Sequence, residues 1–353
     1  MASQELTELR ASIDSILHEF TKARSRALTD IGSELQPVAS AMSDFITDGG
    51  KRFRPIFAYL GYLGTGASPR HEVKRACTAL ELVHVCALIH DDVMDGSDTR
   101  RNKPAIHKLF QSLHDDQSYK GDSERFGLAS AILLGDLALV WADRLLVESG
   151  ISREEFISAQ DVFSDMRDEL MAGQYLDVLE GALATTSVER SLKVARFKSG
   201  KYSIERPLHF GAALAGKPEF NDVYSRFGLP LGEAFQLRDD VLGVFGDPQV
   251  TGKPAGDDIR EGKRTVLIAV TMENANQSQR NTMTEALGNS LIDESDVAQV
   301  QEIIIKTGAL DEVEKLITTL TQESISALRQ SPIDEKIRAV LEEMSVIATQ
   351  RSV

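Results

Sequence analysis

Apolar residues recur at helical spacing along almost the whole of this 353-residue chain. Near the N-terminus Leu6, Leu9, Ile13, Ile16, Leu17 and Phe20 form an i, i+3, i+4 stripe, the signature of one buried helix face. The pattern returns at Leu80, Val83 and Ala87, from Leu133 to Leu146, and from Leu229 to Val241. Period-two alternation with β-branched residues is scarce, and no strand–Gly–strand hairpin signal stands out. Together these features predict an all-α chain. Turn formers break it at Gly49-Gly50, Thr65 to Pro69, His114 to Glu124, Gly216-Lys217-Pro218, and Asp247 to Gly262. Length alone suggests about two domains. The chemistry-bearing segments nevertheless run from Gly49 to Lys263 and need to meet at one site. The reading is therefore a single domain over residues 1–353, with a motif-bearing core at about 37–270. Beyond Met272 the chain is helical and polar, and reads as scaffold.

Composition removes several function classes. A net charge of −15 disfavours nucleic acid as a partner, because that affinity comes from Lys and Arg neutralising phosphates. It leaves open a small anionic substrate, since local basic clusters and bound metal override the global sign. Cys77 and Cys86 lie nine residues apart in an apolar helical pattern, too far to bridge and without zinc spacing. They read as small buried residues in a reducing compartment. The N-terminal stretch has no apolar core behind a basic start, and no run of about 18 uninterrupted apolar residues occurs. The expectation is a cytoplasmic protein without stable membrane insertion.

The strongest chemical signal is His90-Asp91-Asp92-Val93-Met94-Asp95 followed by Arg100-Arg101. It closes a long apolar helix that begins near Glu72. Asp91 and Asp95 are four apart and share a helix face, where like charges repel by a few tenths of a kcal/mol. Three carboxylates at a helix C-terminus also oppose its dipole. A hard divalent cation with oxygen ligands resolves this repulsion, and Mg²⁺ held by one or two carboxylates plus substrate phosphates fits. A second acidic helix end, Phe235-Gln236-Leu237-Arg238-Asp239-Asp240, strengthens the reading. EF-hand spacing is absent.

Basic residues supply the complement. Gly49-Gly50-Lys51-Arg52-Phe53-Arg54-Pro55 places three cations on a glycine-opened turn entering a helix. Lys198-Ser199, Lys253 and Lys263-Arg264 follow later. Singly, each is an ordinary surface charge. Grouped with Gly and Asp at helix ends, they are the planar Arg donors and Lys point charges that a diphosphate needs. The glycine-rich segments lack the P-loop form.

The set GGKRFRP, LIHDDVMDGSDTRR, KSGKY, FQLRDDVLGVFGD and GKPAGDDIREGKRT resembles the trans-isoprenyl diphosphate synthases, with the bacterial short-chain branch, including geranylgeranyl diphosphate synthase, closest in wording. The resemblance covers roughly Pro37 to Thr265. It implies the isoprenoid synthase fold, a large helical bundle around a deep central cavity with the two acidic motifs facing across its mouth. It also implies Mg²⁺ as cofactor, about three ions per active site. By motif, Asp91 and Asp95 resemble ligands of two of them, and Asp239 with Asp240 ligands of a third. Lys51, Arg54, His84 and Arg101 resemble an isopentenyl diphosphate site. Arg100, Lys198, Ser199, Gln236, Lys253 and Lys263 resemble an allylic diphosphate site. The residues similar to the family's catalytic ones are Asp91, Asp95, Arg100, Lys198, Ser199, Gln236, Asp239 and Lys253. A homodimer is the family expectation.

The implied reaction condenses isopentenyl diphosphate with dimethylallyl, geranyl or farnesyl diphosphate. Three departures are visible: Gly243 stands at the third acidic position of the second motif, Ser199 where Thr is usual, and Asn102 with Ala105 in the segment after Arg101. A terpene cyclase would share the first acidic motif but have no use for Lys51, Arg54 and the Arg100-Arg101 pair. A non-catalytic partner subunit should have lost one acidic motif, and both are present.

Product length follows from small residues. In the family, aromatic rings four or five positions before the first Asp stop growth near C15. Here those positions hold Ala87 and Cys86, and Val83 with Leu80 lie deeper on roughly the same face as Asp91. The expectation is a C20 product, with C15 and C25 or longer as alternatives.

Overall fold

The computed structural model describes residues 2–247 and 256–350. Helices dominate: α1 (Ala2–Thr29), α2 (Gln36–Thr47), α3 (Phe53–Gly64), α4 (His71–Asp95), α5 (Ile106–Asp116), α6 (Ser123–Val147), α7 (Arg153–Leu183), α8 (Val188–Val194), a π-helical segment Ala195–Glu205, α9 (Arg206–Leu214) and α10 (Asn221–Phe245). After these come α11 (Asp257–Arg260), α12 (Val266–Asn274), α13 (Gln277–Ala286), α14 (Glu294–Lys306), α15 (Ala309–Arg329) and α16 (Glu335–Thr349). The breaks expected at 49–50, 65–69 and 216–218 fall between helices, and the one at 114–124 overlaps the ends of α5 and α6. The break expected at 247–262 contains α11 and otherwise lies largely outside the described residues. The chain divides into two compact units, one of residues 1–162 and 207–218, the other of 163–206 and 219–353.

In the first unit the predicted α1 stripe is largely buried: Leu6, Ile13, Ile16, Leu17 and Phe20 have lost almost all solvent contact. α4 packs chiefly on α6, and α5 on α6. α6 is the one described helix long and apolar enough to cross a bilayer. Its Leu134, Ala138, Trp141 and Leu145 are buried within the unit.

One feature departs from the all-helical expectation. Thr99–Arg100 and Lys103–Pro104 form a small antiparallel hairpin, pairing Thr99 with Pro104 and Arg100 with Lys103. Its two-residue turn, Arg101-Asn102, has φ of 53° and 60°. That left-handed pair is the turn whose twist suits a hairpin. Strands of two residues are too short for alternation to register, so the sequence gives no strand signal there.

In the second unit Leu237, Val241 and Val244 of α10 join Val266, Leu267 and Val270 of α12, Val300 and Ile304 of α14, and Val313 and Ile317 of α15 in one core. Arg238 ties α10 to the last helices, donating to both oxygens of Glu314 at 2.6 Å and to the Thr349 carbonyl at 2.8 Å. The segment after Met272 is helical, as read from the sequence, with reciprocal capping boxes at Asn276 and Asp293. The π-helical segment that carries Lys198 and Ser199 is held by backbone crossings. A side chain on Gly173 of α7 would collide with the Lys198 amide, and one on Gly232 of α10 with Gly200. Such π segments are frequent at functional sites.

Candidate active site

The first acidic motif closes α4, which stops at Gly96 in the left-handed conformation, φ 68°. The three carboxylates separate into two roles. Asp92 is fully buried and takes the Arg100 guanidinium, Nε at 2.9 Å and Nη2 closer still. It therefore anchors the hairpin to the helix end. Asp91 and Asp95 remain partly open to solvent, with Asp91 3.8 Å from Arg100 Nη2. Two oxygen-bearing side chains on one face suit a hard cation.

Around that helix end the same unit gathers the expected basic residues. Lys51 is exposed and Arg54 half-buried at the start of α3. Arg101 donates to the Asp48 and Phe45 carbonyls at 3.1 and 3.4 Å and lies over the Phe45 ring. His84, two turns before Asp91 on α4, is held well below its ordinary pKa, first by burial and then by Arg54, Arg101, Arg100 and Arg52. It is a neutral imidazole at neutral pH, a hydrogen-bonding group among cations.

The second unit holds the other set. Lys198 Nζ donates to Asp177 of α7 at 2.6 Å, and Gln236 Nε2 to Asp240 Oδ1 at 2.7 Å. Ser199 is half-buried beside Lys198, and Asp239 is half-buried while Asp240 is buried. Burial raises the Asp240 carboxyl to about 8, with Asp258, Asp239 and Asp177 adding to the rise and the Gln236 hydrogen bond opposing it. Lys263 contacts Glu261 at 2.8 Å and Asp258 at 3.7 Å. Lys253 lies outside the described residues.

Two contributors were not read from the sequence. Asp177 comes from an otherwise unremarked helix. Asp258, from the GDDIREGK segment, lies against α10 where the motif has Gly243: a Cβ at 243 would collide with the Asp258 carboxylate. The place of the third acidic residue is thus taken by a carboxylate from α11. Its signal was present, in the Asp257-Asp258 pair, but only the fold brings it to α10.

The donor sets fit a divalent cation that shares its coordination with substrate. Among the described residues no group of three His, Cys, Asp or Glu forms a metal cage. Pairs of carboxylates are what Mg²⁺ uses when phosphate and water fill its remaining positions.

Of the product-length residues, Leu80 and Val83 are fully buried. Cys86 is buried too, its Sγ 3.7 Å from His90 Nδ1, and the His90 ring lies against Gly135 of α6. Ala87 is partly exposed. Trp141 is buried with its ring edge-on to Phe20, centroids 6.2 Å apart.

Comparison with known proteins identifies the family. The polyprenyl synthetase family pattern matches residues 36–304. The crystal structure of geranylgeranyl pyrophosphate synthase from Corynebacterium glutamicum, complexed with isoprenyl diphosphate and magnesium, is 39% identical with a TM-score of 0.95, covering 98% of this chain and 99% of that one. The geranylfarnesyl diphosphate synthase of Aeropyrum pernix is 31% identical over 86% of this chain and 91% of its own length. The geranylgeranyl diphosphate synthase of Sulfolobus acidocaldarius is 31% identical over 85% and 86%. With its all-α isoprenoid synthase fold and both acidic motifs in place, this chain belongs to the polyprenyl synthetase family of prenyl diphosphate synthases.

Proposed function

We propose that the chain is a Mg²⁺-dependent trans-prenyl diphosphate synthase that adds isopentenyl diphosphate to allylic diphosphates and releases mainly the C20 product. The observation that carries this reading lies within the first unit. Lys51, Arg54, His84 and Arg101 share it with the paired carboxylates Asp91 and Asp95. A second diphosphate site beside metal-type carboxylates serves a condensation and has no use in a cyclisation.

Lys51, Arg54, His84 and Arg101 bind isopentenyl diphosphate in this reading. Arg100, Lys198, Ser199, Gln236 and Lys263 serve the allylic diphosphate, with Asp91, Asp95, Asp239 and Asp240 holding Mg²⁺. The ions, when bound, neutralise charge on the departing diphosphate. Lys198 and Lys263 add fixed positive charge where the leaving group develops its own negative charge. The hydrogen bond from Gln236 Nε2 to Asp240 turns the amide so that its oxygen is the end left for a cation. That oxygen, the Ser199 hydroxyl and the Lys198 carbonyl are neutral dipoles that hold an allylic cation without bonding to it. The allylic C–O bond breaks, its electron pair leaving with the diphosphate; the isopentenyl double bond attacks the resulting cation, and the proton lost from the adduct goes to the released diphosphate.

Product analysis tests the reading: purified protein, Mg²⁺, labelled isopentenyl diphosphate and each allylic primer, resolved by chain length. C20 should dominate. Hydrocarbon products, or no consumption of isopentenyl diphosphate, would remove the proposal. The two sites should also separate kinetically. Arg54→Ala should raise KM for isopentenyl diphosphate about tenfold with little change for the primer, whereas Lys198→Ala should act mainly on kcat.

A homodimer is part of the proposal. α6 exposes Ile132, Leu133, Val140 and Val147, a run of large apolar side chains along one helix, and contiguous apolar surface marks an interface. A second copy presenting the same face would bury it. Leu133→Glu should shift the protein from dimer to monomer by light scattering; an unchanged mass would place the interface elsewhere. We place the protein in the cytoplasm, where buried cysteines such as Cys77 and Cys86 stay reduced.

A further inference from the structure

Arg52 lies between Lys51 and Arg54 yet cannot bind substrate itself, because only 2% of it is exposed. Its φ is 53°, in the left-handed region that Gly occupies without strain. A buried guanidinium is tolerated only when paired. Local preference therefore opposes Arg here twice, through the backbone and through burial, and such conflicts gather where function constrains a residue.

The guanidinium is divided among three helices. Nε donates to Asp14 of α1 at 2.8 Å, Nη1 to Glu81 of α4 at 2.7 Å, and Nη2 to the Ile46 carbonyl near the end of α2 at 2.9 Å. Glu81 is itself buried and lies three residues before His84 on the same helix. One bond thus couples the turn bearing Lys51 and Arg54 to the helix bearing His84, at a distance of one turn. The same cluster adjoins Arg101: a Cβ on Gly50 would lie 3.2 Å from Arg52 Nη1 and 3.6 Å from Arg101 Nη2. Glu81 also offsets the repulsion that Arg101 feels from Arg52 and Arg100.

We propose that Arg52 is a positioning residue for isopentenyl diphosphate. Bound to Asp14, Glu81 and the Ile46 carbonyl, it fixes the 49–54 turn so that Lys51, Arg54 and His84 meet the diphosphate as one preformed set. The inference rests on the assignment of those three residues to isopentenyl diphosphate.

The test varies each substrate separately while thermal melting is followed. Arg52→Met and Glu81→Gln should raise KM for isopentenyl diphosphate about tenfold, the scale expected for losing a charge-assisted hydrogen bond. KM for the allylic primer and kcat at saturation should stay within about twofold, as for loss of an interaction made equally in ground and transition states. Arg52→Lys, which retains the charge, should recover part of the KM. Asp14 is partly exposed, so Asp14→Asn leaves the core intact and carries the test if the other variants fold poorly. It should raise the same KM about threefold, as for one weaker bond of the three. Lower melting temperatures with an unchanged KM, or equal rises for both substrates, would make Arg52 merely structural and overturn the proposal. Arg54→Ala is the control. If it too leaves KM for isopentenyl diphosphate unchanged, the site assignment falls and this inference falls with it.

Discussion

Asp91→Ala should lower turnover by roughly a hundred- to a thousandfold, the range seen when one element stabilising a developing oxyanion is removed. Its melting temperature should hold or rise slightly. Asp91 and Asp95 repel across one helix face and both oppose the dipole of α4, so deleting one relieves a few tenths of a kcal/mol. The 3.8 Å contact with Arg100 offsets part of that gain. Asp92 makes the contrast. It is fully buried and bound to Arg100, so Asp92→Ala should lose about 3 kcal/mol of stability by stranding a cation. Melting curves beside initial rates separate the two variants. EDTA should abolish wild-type turnover and Mg²⁺ restore it. Wild-type rates in Asp91→Ala, or full activity in EDTA, would end the assignment of these carboxylates to metal.

The contrast between Asp91 and Asp92 marks the limit of what the sequence could carry. Spacing alone placed Asp91 and Asp95 on one face, the apolar period placed the α1 stripe, and turn formers placed most helix breaks, because each depends on neighbours within a few turns. That Asp92 is bound eight residues on by Arg100 depends on the hairpin, whose two-residue strands carry no period. The Arg52 cluster draws on Asp14 and Glu81, 38 and 29 residues away. The same holds for Asp258, which reaches the space beside Gly243 only through the packing of α11 on α10. The sequence showed a missing carboxylate at that position, and the fold replaces it from another element. The π-helical register around Lys198 had no local signature either, since it is tied to close backbone crossings at Gly173 and Gly232. What the motifs supplied was a set of candidate reacting groups, and what they withheld was how each is held.

Product length is where the two kinds of information combine. The growing tail is expected to extend alongside α4 from Asp91, and Ala87, Val83 and Leu80 follow at four, eight and eleven residues before it. At 1.5 Å per residue they lie about 6, 12 and 16 Å from the carboxylate level, so the depth of the first large side chain sets where growth stops. Ala87 and Cys86 are both small, but the structure makes them unequal. The Cys86 thiol is buried against His90, which in turn lies against α6, whereas Ala87 keeps some exposure. A ring at 87 therefore has space to enter; a ring at 86 must displace His90 or the neighbouring helix. Ala87→Phe should shift the main product from C20 to C15 with total turnover within about threefold of wild type, since no group that binds diphosphate or metal is altered and a factor of three is under 1 kcal/mol. Cys86→Phe should instead lower stability by about 1–3 kcal/mol through overpacking, whatever it does to chain length. In the proposed reading, the fully buried Val83 and Leu80 would form the next floor below Ala87, in a unit where Trp141 stands edge-on to Phe20. Radiolabelled products resolved by chain length, beside a melting curve for each variant, decide the matter. A wild type that stops at C15, or an Ala87→Phe variant that still makes C20, would put the ruler on a different helix face.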